Sequence, residues 1–373
     1  MDNDTWASRL SATLDFARFP MIMGILVIHC YLVAGPDGDA VPAPARDVMY
    51  LGSQVLSRLC VPLFFAISGF LFFYRKDPDA PGFYPAQWRK RVSGLLVPYL
   101  LWNVLAFGWL LLKAGPLERF FPNMAGVDLS AGKFLLSFWE FSYTGEPSVP
   151  QFYEPASSPA DFPLWFIRDL MVLVLLTPLI RIVSRLTRGW IVAVLCACFA
   201  CGWWPSVPGF SCTGVTFFTL GAWLALVRVN PVRLLLESRQ SRRVLALLAA
   251  VYAAAAVVEL YNPGTFIGER AHGAGILAGV PLLTACFGSF VARGWRVAPW
   301  LGRSAFFVYA FHGLVNSTVA SAVTKIARPD GSAAWILCYL AAIAALWGIS
   351  EIAYLAARRL SPRLTSWLCG GRG

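Results

Sequence analysis

Long runs of apolar residues dominate the chain, and short polar segments separate them. Ten of these runs have a length suited to crossing a hydrocarbon core of about 30 Å as a helix. They cover residues 15–34, 48–74, 92–113, 163–181, 189–204, 211–228, 244–260, 272–292, 303–323 and 333–356. Trp or Tyr flank many of the runs, as is typical where a helix meets a membrane interface. The pattern predicts an all-α membrane protein, a bundle of about ten transmembrane helices that forms a single domain over residues 1–373.

Composition agrees with this prediction. Hydrophobic residues make up 58% of the chain and charged residues 14%, whereas soluble domains are about 25% charged. The nine cysteines lie mostly within the apolar runs, where a free thiol behaves as a small apolar group. His and carboxylate residues are not clustered around them in sequence, so we predict no metal site. The first apolar run lacks a small-residue cleavage site, and we expect no cleavable signal peptide.

The net charge is +11, and the basic residues concentrate in alternate connections between the apolar runs. These residues are Arg75, Lys76, Arg89, Lys90, Arg91, Arg181, Arg185, Arg188, Arg228, Arg233, Arg239, Arg242, Arg243, Arg293, Arg296, Arg303, Arg358, Arg359, Arg363 and Arg372. The positive-inside rule then predicts that both termini are cytoplasmic. Because the basic residues are dispersed over helix ends, we exclude nucleic acid as a partner.

The longest polar connection covers about residues 114–162 and is predicted to lie outside the cytoplasm. It carries six acidic residues, Asp161 among them, interleaved with aromatic residues. Connections of this length usually have a function or are disordered. Aromatic and acidic side chains together suit a sugar ligand, but they also suit a cover that lies in the membrane interface, and the sequence leaves both interpretations open.

Two ionisable residues in the first apolar run share one helix face. Arg18 and His29 are eleven residues apart, which is three turns plus about 20° and a rise of about 16 Å. Asp15 lies one turn before Arg18 on the same face. Ionisable groups at membrane depth indicate function by default, and imidazole is suited to take a hydroxyl proton near neutral pH. The pair predicts a cytoplasmic cation beneath a reactive histidine.

Five further residues are candidates for chemistry within the membrane. His312, in FFVYAFHGLV, is predicted at a depth similar to His29, and Glu351 lies about two turns from the inner face. Arg168 and Asp169 form either a self-satisfied ion pair or part of an acceptor site. Ser68 precedes a glycine in VPLFFAISGF, and such small pairs more often permit close helix packing than chemistry.

Five motifs, in order along the chain, resemble those of acyltransferase family 3, a family of bacterial membrane enzymes. They are an Arg-x10-His pattern in LDFARFPMIMGILVIHCYLV, the second-span VPLFFAISGF, the basic segment and Pro-Tyr of WRKRVSGLLVPYLLW, LWFIRDL, and FFVYAFHG. The resemblance implies a membrane O-acyltransferase of the bacterial cytoplasmic (inner) membrane. Many relatives append an SGNH-type esterase domain, which we do not expect here.

The resemblance also implies substrates and site residues. The donor is a cytoplasmic acyl-CoA, commonly acetyl-CoA, with no permanently bound cofactor, and the acceptor is a hydroxyl of a surface or periplasmic glycan. Lipids surround the protein. We interpret His29 as general base or acyl carrier and Arg18 as the residue that orients the donor, with Glu351 and His312 as further catalytic candidates. The candidate substrate-binding residues are Asp15, Ser68, Arg89, Lys90, Arg91, Trp165, Arg168 and Asp169.

A transporter or flippase for a glycan or lipid is the main alternative, because buried charges and an acidic outer connection also suit transport. Transporters commonly contain internal repeats with paired broken helices, and the sequence shows no such repeat. We therefore favour the enzyme.

Overall fold

A computed structural model describes residues 3–35, 38–121, 124, 127–141, 157–204 and 207–371. Sixteen α-helices follow one another in this part of the chain. They are α1 (Asn3–His29), α2 (Ala43–Tyr50), α3 (Cys60–Phe73), α4 (Phe83–Arg91), α5 (Val97–Ala114), α6 (Ala131–Leu136), α7 (Trp165–Leu175), α8 (Thr177–Leu186), α9 (Trp190–Cys201), α10 (Cys212–Leu226), α11 (Pro231–Leu236), α12 (Arg239–Tyr261), α13 (Phe266–Ala292), α14 (Pro299–Ala327), α15 (Gly331–Leu360) and α16 (Pro362–Leu368). None of the described residues forms a β-strand, so the predicted all-α class is confirmed there.

Seven helices of the described chain are long and apolar enough to cross a membrane. They are Asp4–His29, Ala43–Phe73, Phe83–Ala114, Arg239–Tyr261, Phe266–Ala292, Pro299–Ala327 and Gly331–Leu360. Two of them are composite. A π-helical turn at Leu51–Leu56 and a 3-10 turn at Ser57–Leu59 join α2 to α3, and a π-helical turn at Val92–Leu96 joins α4 to α5. The protein is a multi-pass integral membrane protein.

The three remaining predicted runs, 163–181, 189–204 and 211–228, form shorter helices. The first is divided at Leu176, because Pro178 lacks the N–H group that would continue the helix. Gly189 adopts a left-handed conformation between α8 and α9, whose axes bend by 108°. α8 and α9 together form an eighth candidate if the bent pair is one span, and α10 has 15 residues.

Close helix contacts depend on glycine. A Cβ atom at Gly69 of α3 would lie 2.1 Å from the carbonyl oxygen of Phe218, and one at Gly221 of α10 would lie 1.9 Å from that of Ala66. Because neither distance is tolerable, the two glycines allow the backbones of α3 and α10 to touch. Helices in lipid have no hydrophobic driving force for association. The close van der Waals packing that small residues permit stabilises their contact instead.

The first helix occupies the centre of the bundle. α1 packs against α3, α13, α14 and α15, and its residues Leu10, Met21 and Leu26 are completely buried. By contrast, apolar side chains on outer helices remain exposed, such as Leu247 at 65% and Ile352 at 67%. Exposed apolar surface of this kind is suited to lipid. The helix that carries the Arg18–His29 pattern therefore packs inside the bundle, although the Arg18 side chain itself remains exposed.

Candidate active site

A cavity of about 880 Å³ lies between α1, α3, α7 and the beginning of α14. Most of its wall is apolar and includes Met21, Ile22, Phe64, Ile67 and Leu170. Ser68 also lines it, while the adjacent Gly69 makes the close contact with α10. The two residues of the Ser-Gly pair thus face different environments, one the cavity and the other the helix interface.

One end of the cavity is basic. Four of the described residues in its wall are arginines, namely Arg18, Arg91, Arg296 and Arg303. They come from α1, α4, the segment before α14, and α14 itself. The Nε atom of Arg91 is buried without a hydrogen-bond partner. This end therefore concentrates positive charge from three separate parts of the sequence.

An acidic residue accompanies the arginines. Asp15 lines the cavity, and its carboxylate lies 3.4 Å from the guanidinium of Arg18. Both side chains remain more than half exposed, at 66% and 57%. An exposed pair of this kind holds together weakly, so Arg18 is free to exchange Asp15 for an anionic ligand.

Ile25, Phe166 and Tyr309 line the opposite end of the cavity. The hydroxyl of Tyr309 donates a hydrogen bond to the carbonyl oxygen of Pro163. His29 follows Ile25 by one helical turn, and His312 follows Tyr309 by nearly one turn. The two histidines therefore form the next layer beyond this end of the cavity, and neither of them lines it.

The two imidazoles lie side by side. The ring centroids of His29 and His312 are 5.3 Å apart with an angle of 32° between the planes. Phe162 meets the His29 ring edge to face at 4.7 Å and lies 6.2 Å from the His312 ring. The similar depth predicted for the two histidines is what the structure shows.

The two histidines differ in their hydrogen bonds and in their exposure. The Nδ1 atom of His312 lies 3.3 Å from the carbonyl oxygen of Val308, while its Nε2 atom is buried and has no partner. His29 is the last residue of α1 and is partly exposed. The side-chain amide of Asn316 donates a hydrogen bond of 3.2 Å to the carbonyl oxygen of His29. Asn316 therefore ties the end of α1 to α14 beside the imidazoles.

The arrangement suits a long substrate with an anionic end. Arginines bind phosphates through charge-assisted hydrogen bonds, the apolar wall accepts an uncharged chain, and imidazole takes or gives a proton. The rise from Arg18 to His29 is about 16 Å along the helix. A chain of that length matches the separation between Arg18 and the layer of the histidines.

Comparison with known proteins decides the family. The acyltransferase 3 family model, described as an acyltransferase domain, matches residues 11–351. The chain belongs to the acyltransferase 3 family. The predicted family is therefore confirmed.

A curated relative agrees with the family match. The chain is 25% identical over 201 residues to the succinoglycan biosynthesis protein ExoH of Rhizobium meliloti (strain 1021). The match covers 50% of this chain and 47% of the relative, so the chain spans about half the length of the curated relative that it matches. No solved structure matches the chain significantly.

The side chains of Arg168 and Asp169 bond to each other, to the backbone and to the hydroxyl of Ser157. The Nε atom of Arg168 lies 3.1 Å from Asp169 Oδ1, and its other nitrogens donate to Ser157 and to the carbonyl oxygen of Trp139. The second oxygen of Asp169 accepts from the N–H of Ser211. Because the exposed fractions are 1% and 0%, the geometry favours the self-satisfied ion pair over an acceptor site.

Glu351 lies on α15 and is attached to α14. Its Oε1 atom accepts a hydrogen bond of 2.6 Å from the hydroxyl of Ser304. Ser304 is adjacent to Arg303 and Ala305, both of which line the cavity. Glu351 itself does not line it. The carboxylate thus supports the wall from behind.

The remaining candidates divide between the cavity and other surfaces. Arg91 lines the cavity, whereas Arg89 and Lys90 are exposed on α4 and do not. Trp165 packs near Phe65 at a centroid distance of 6.2 Å and is also outside the cavity. Phe162, three residues before Trp165, contacts the His29 ring instead.

Several residues of the site were not singled out from the sequence. In the sequence, Arg296 and Arg303 served only to predict which face of the membrane is cytoplasmic. Each precedes or begins an apolar run, and that position could have identified them as candidates for the site. Tyr309 and Asn316 share a helix face with His312, at spacings of three and four residues. Among the described residues, no three His, Cys, Asp or Glu side chains come together as a metal site requires.

Proposed function

We propose that the protein is an O-acyltransferase that moves an acyl group from cytoplasmic acyl-CoA to a hydroxyl of a cell-surface or periplasmic glycan. The observation that supports it best is the cavity that extends from four arginines toward the His29–His312 pair. Acyl-CoA combines a phosphorylated end with a long arm that ends in a thioester. Its two ends match the two ends of the cavity.

The arginine end is proposed to bind the phosphates of the donor. Arg18, Arg91, Arg296 and Arg303 surround one opening, and guanidinium groups pair well with phosphate oxygens. Within this proposal Arg18 leaves its weak contact with Asp15 to orient the donor. The acyl group is taken as acetyl, with acetyl-CoA as the donor to be tested first.

The histidine pair is proposed to handle the proton of the acceptor hydroxyl. The hydroxyl oxygen forms a bond to the acyl carbon while the thioester C–S bond breaks. The hydroxyl proton passes to the imidazole of His29 and then to the departing sulfur, which leaves as the CoA thiol. Because a thioester is already activated, the protein mainly has to position the reactants and exclude water.

The topology proposed with this reaction has ten spans, with both termini in the cytoplasm and the protein in the bacterial cytoplasmic membrane. Positive charge near the cavity opening supports a cytoplasmic donor side. The acidic and aromatic connection at about 114–162 is then on the acceptor side. The name of the relative ExoH refers to succinoglycan biosynthesis, which supports a glycan as the acceptor.

The test uses vesicles in which the cytoplasmic face of the membrane is accessible. Radiolabelled acetyl-CoA is added, and base-labile label is measured in the glycan fraction with and without the protein. The proposal predicts label that depends on His29 and on donor supplied at the cytoplasmic face. Label that remains with His29→Ala would overturn the assignment of the reaction centre, and absence of label from the wild type would overturn the function.

A matched control uses the third histidine of the chain. The Nδ1 atom of His272 lies 2.9 Å from Glu259 Oε1, outside the histidine pair. His272→Gln is therefore expected to retain transfer within about twofold, which separates a specific loss at His29 from general sensitivity to histidine replacement.

A further inference from the structure

Asp161 is a buried carboxyl group that the mechanism above does not use. It ends the long outer connection and is 1% exposed. Both of its carboxyl oxygens are buried without a hydrogen-bond partner. Burying a polar group without a partner costs several kcal/mol in general, and buried polar groups in native proteins are rarely left unpaired.

The backbone of Asp161 is held firmly, in contrast to its side chain. Its N–H donates to the side-chain oxygen of Asn103 at 3.1 Å, and its carbonyl oxygen accepts from the N–H of Leu164 at 2.9 Å. The amide of Asn103 in turn donates to the carbonyl oxygen of Tyr99. The carboxyl group is thus placed by its surroundings, but none of these contacts satisfies its oxygens.

The carboxyl group belongs to the same layer as the histidine pair. A Cβ atom at Gly313 would lie 2.4 Å from Asp161 Oδ1, so the glycine directly after His312 admits the carboxyl group against α14. Phe162, the residue after Asp161, contacts the His29 ring. Asp161 therefore approaches the imidazoles on a segment whose other side chains already enclose them.

Asp161 is separated from the donor end of the site. It does not line the arginine cavity, whose opposite end is lined by Tyr309, and the hydroxyl of Tyr309 donates to the carbonyl oxygen of Pro163. A carboxylate would also repel the phosphates of a donor. Its two oxygens are instead suited to accept hydrogen bonds from hydroxyl groups, of which a sugar has several.

We propose that Asp161 binds the acceptor, with its carboxyl oxygens accepting hydrogen bonds from sugar hydroxyls next to the hydroxyl that is acylated. This inference rests on the proposed transfer to a glycan and names the residue that holds the acceptor. Asp161 takes no proton and forms no bond to the acyl group. It orients the sugar, while the imidazole takes the proton of the reacting hydroxyl.

The test compares Asp161→Asn with Asp128→Asn in the full-length protein. Asp128 is an exposed residue of the same outer connection, with its carboxylate on the N–H of Ser130. Three quantities are measured: base-labile acyl groups on the polysaccharide of the expressing cells, binding of acetyl-CoA to the purified protein, and the midpoint of thermal unfolding.

Asp161→Asn is expected to lower the transfer rate at least about tenfold, the effect of losing a hydrogen bond to a charged group. Acetyl-CoA affinity should stay within about twofold. The unfolding midpoint should stay the same or rise, because the variant removes an unpartnered carboxyl group. Asp128→Asn should match the wild type in all three measurements.

A second variant displaces the carboxyl group without replacing it. Gly313→Ala places a Cβ atom against Asp161 Oδ1 and also against the ring of Pro163, at 2.6 Å from its Cδ. Transfer should fall while acetyl-CoA binding remains. Either variant with transfer within about twofold of the wild type would overturn the proposal. So would Asp161→Asn protein that loses acetyl-CoA binding or unfolds, since these results indicate a structural role. If the wild-type protein transfers no acyl group, the proposed function is wrong, and so is this inference, which rests on it.

Discussion

The imidazole rings of His29 and His312 lie 5.3 Å apart, although they belong to the first and the fourteenth helix. Asn316 fixes this relationship, since its amide holds the carbonyl oxygen of His29 from one turn beyond His312. His312 is completely buried and His29 is partly exposed. The two rings therefore have different access to a substrate, and this asymmetry can be tested.

Replacing His29 with Ala should lower acyl transfer by about 100-fold or more, which is typical for the loss of a general base. Acetyl-CoA binding should be retained, because the arginine end is unchanged. Transfer and donor binding are measured on the same preparation. His312→Gln should give a smaller loss of acyl transfer, because in the proposed reaction His29 and not His312 takes the hydroxyl proton. An equal or larger loss for His312→Gln would reverse the two assignments.

The arginines of the cavity should control donor affinity. Arg18→Ala and Arg303→Ala are each expected to raise the KM for acetyl-CoA about tenfold, because each removes a charge-assisted hydrogen bond to phosphate. The matched controls are Arg89→Ala and Lys90→Ala, which change exposed residues of α4 outside the cavity. The KM of each variant is obtained from initial rates at varied acetyl-CoA concentrations. A KM that rises equally for the controls would indicate long-range charge rather than contact.

Much of the fold could be predicted because apolar runs that cross a membrane must satisfy their own backbone hydrogen bonds as helices. Seven predicted runs coincide with long helices of the described chain. The prediction was less accurate for 163–181 and 189–204, where hydropathy alone continues across the breaks. Pro178 and Gly189 mark those breaks, and their effect depends on local backbone geometry that a hydropathy pattern does not contain.

The site was only partly predictable for a related reason. The spacing of Arg18 and His29 is local, so helical periodicity alone puts them on one face. Arg296 joins Arg18 at the cavity only through tertiary packing. Asp161 looked like one acid among six in an outer connection, and the sequence does not reveal that this connection re-enters the bundle beside His312. Contacts between distant segments therefore account for most of what was missed.

The contact between Ser304 and Glu351 should contribute to stability rather than to proton transfer. Ser304→Ala removes the 2.6 Å hydrogen bond to the carboxylate, and we expect a loss of about 1–3 kcal/mol in the free energy of unfolding. Glu351→Gln keeps an acceptor for Ser304 and should retain most of the transfer activity. Thermal unfolding and transfer are measured for both variants. Abolished transfer in folded Glu351→Gln protein would instead make Glu351 a catalytic acid or base.

Lys76 predicts a pH dependence of stability outside the membrane spans. Burial, reinforced by the charges of Arg91 and Lys90, lowers the pKa of Lys76 to about 8. In the unfolded chain a lysine keeps its proton up to about pH 10.4. Between these values the unfolded state binds more protons, so stability should rise as the pH increases from about 8 to 10. Unfolding midpoints measured across this range should lose part of that rise in Lys76→Gln. An unchanged slope would contradict the assignment to Lys76.

The buried pair of Arg168 and Asp169 should be essential for folding and neutral for substrate affinity. Arg168→Met leaves Asp169 buried with one partner fewer and frees the carbonyl oxygens of Trp139 and Ser157. Breaking a buried ion pair in this way costs about 3–5 kcal/mol, so the yield of folded protein and the unfolding midpoint should both fall. The KM for donor and acceptor should be unchanged in the protein that does fold. Folded Arg168→Met protein with normal stability and a raised KM for the acceptor would show that the pair binds substrate after all.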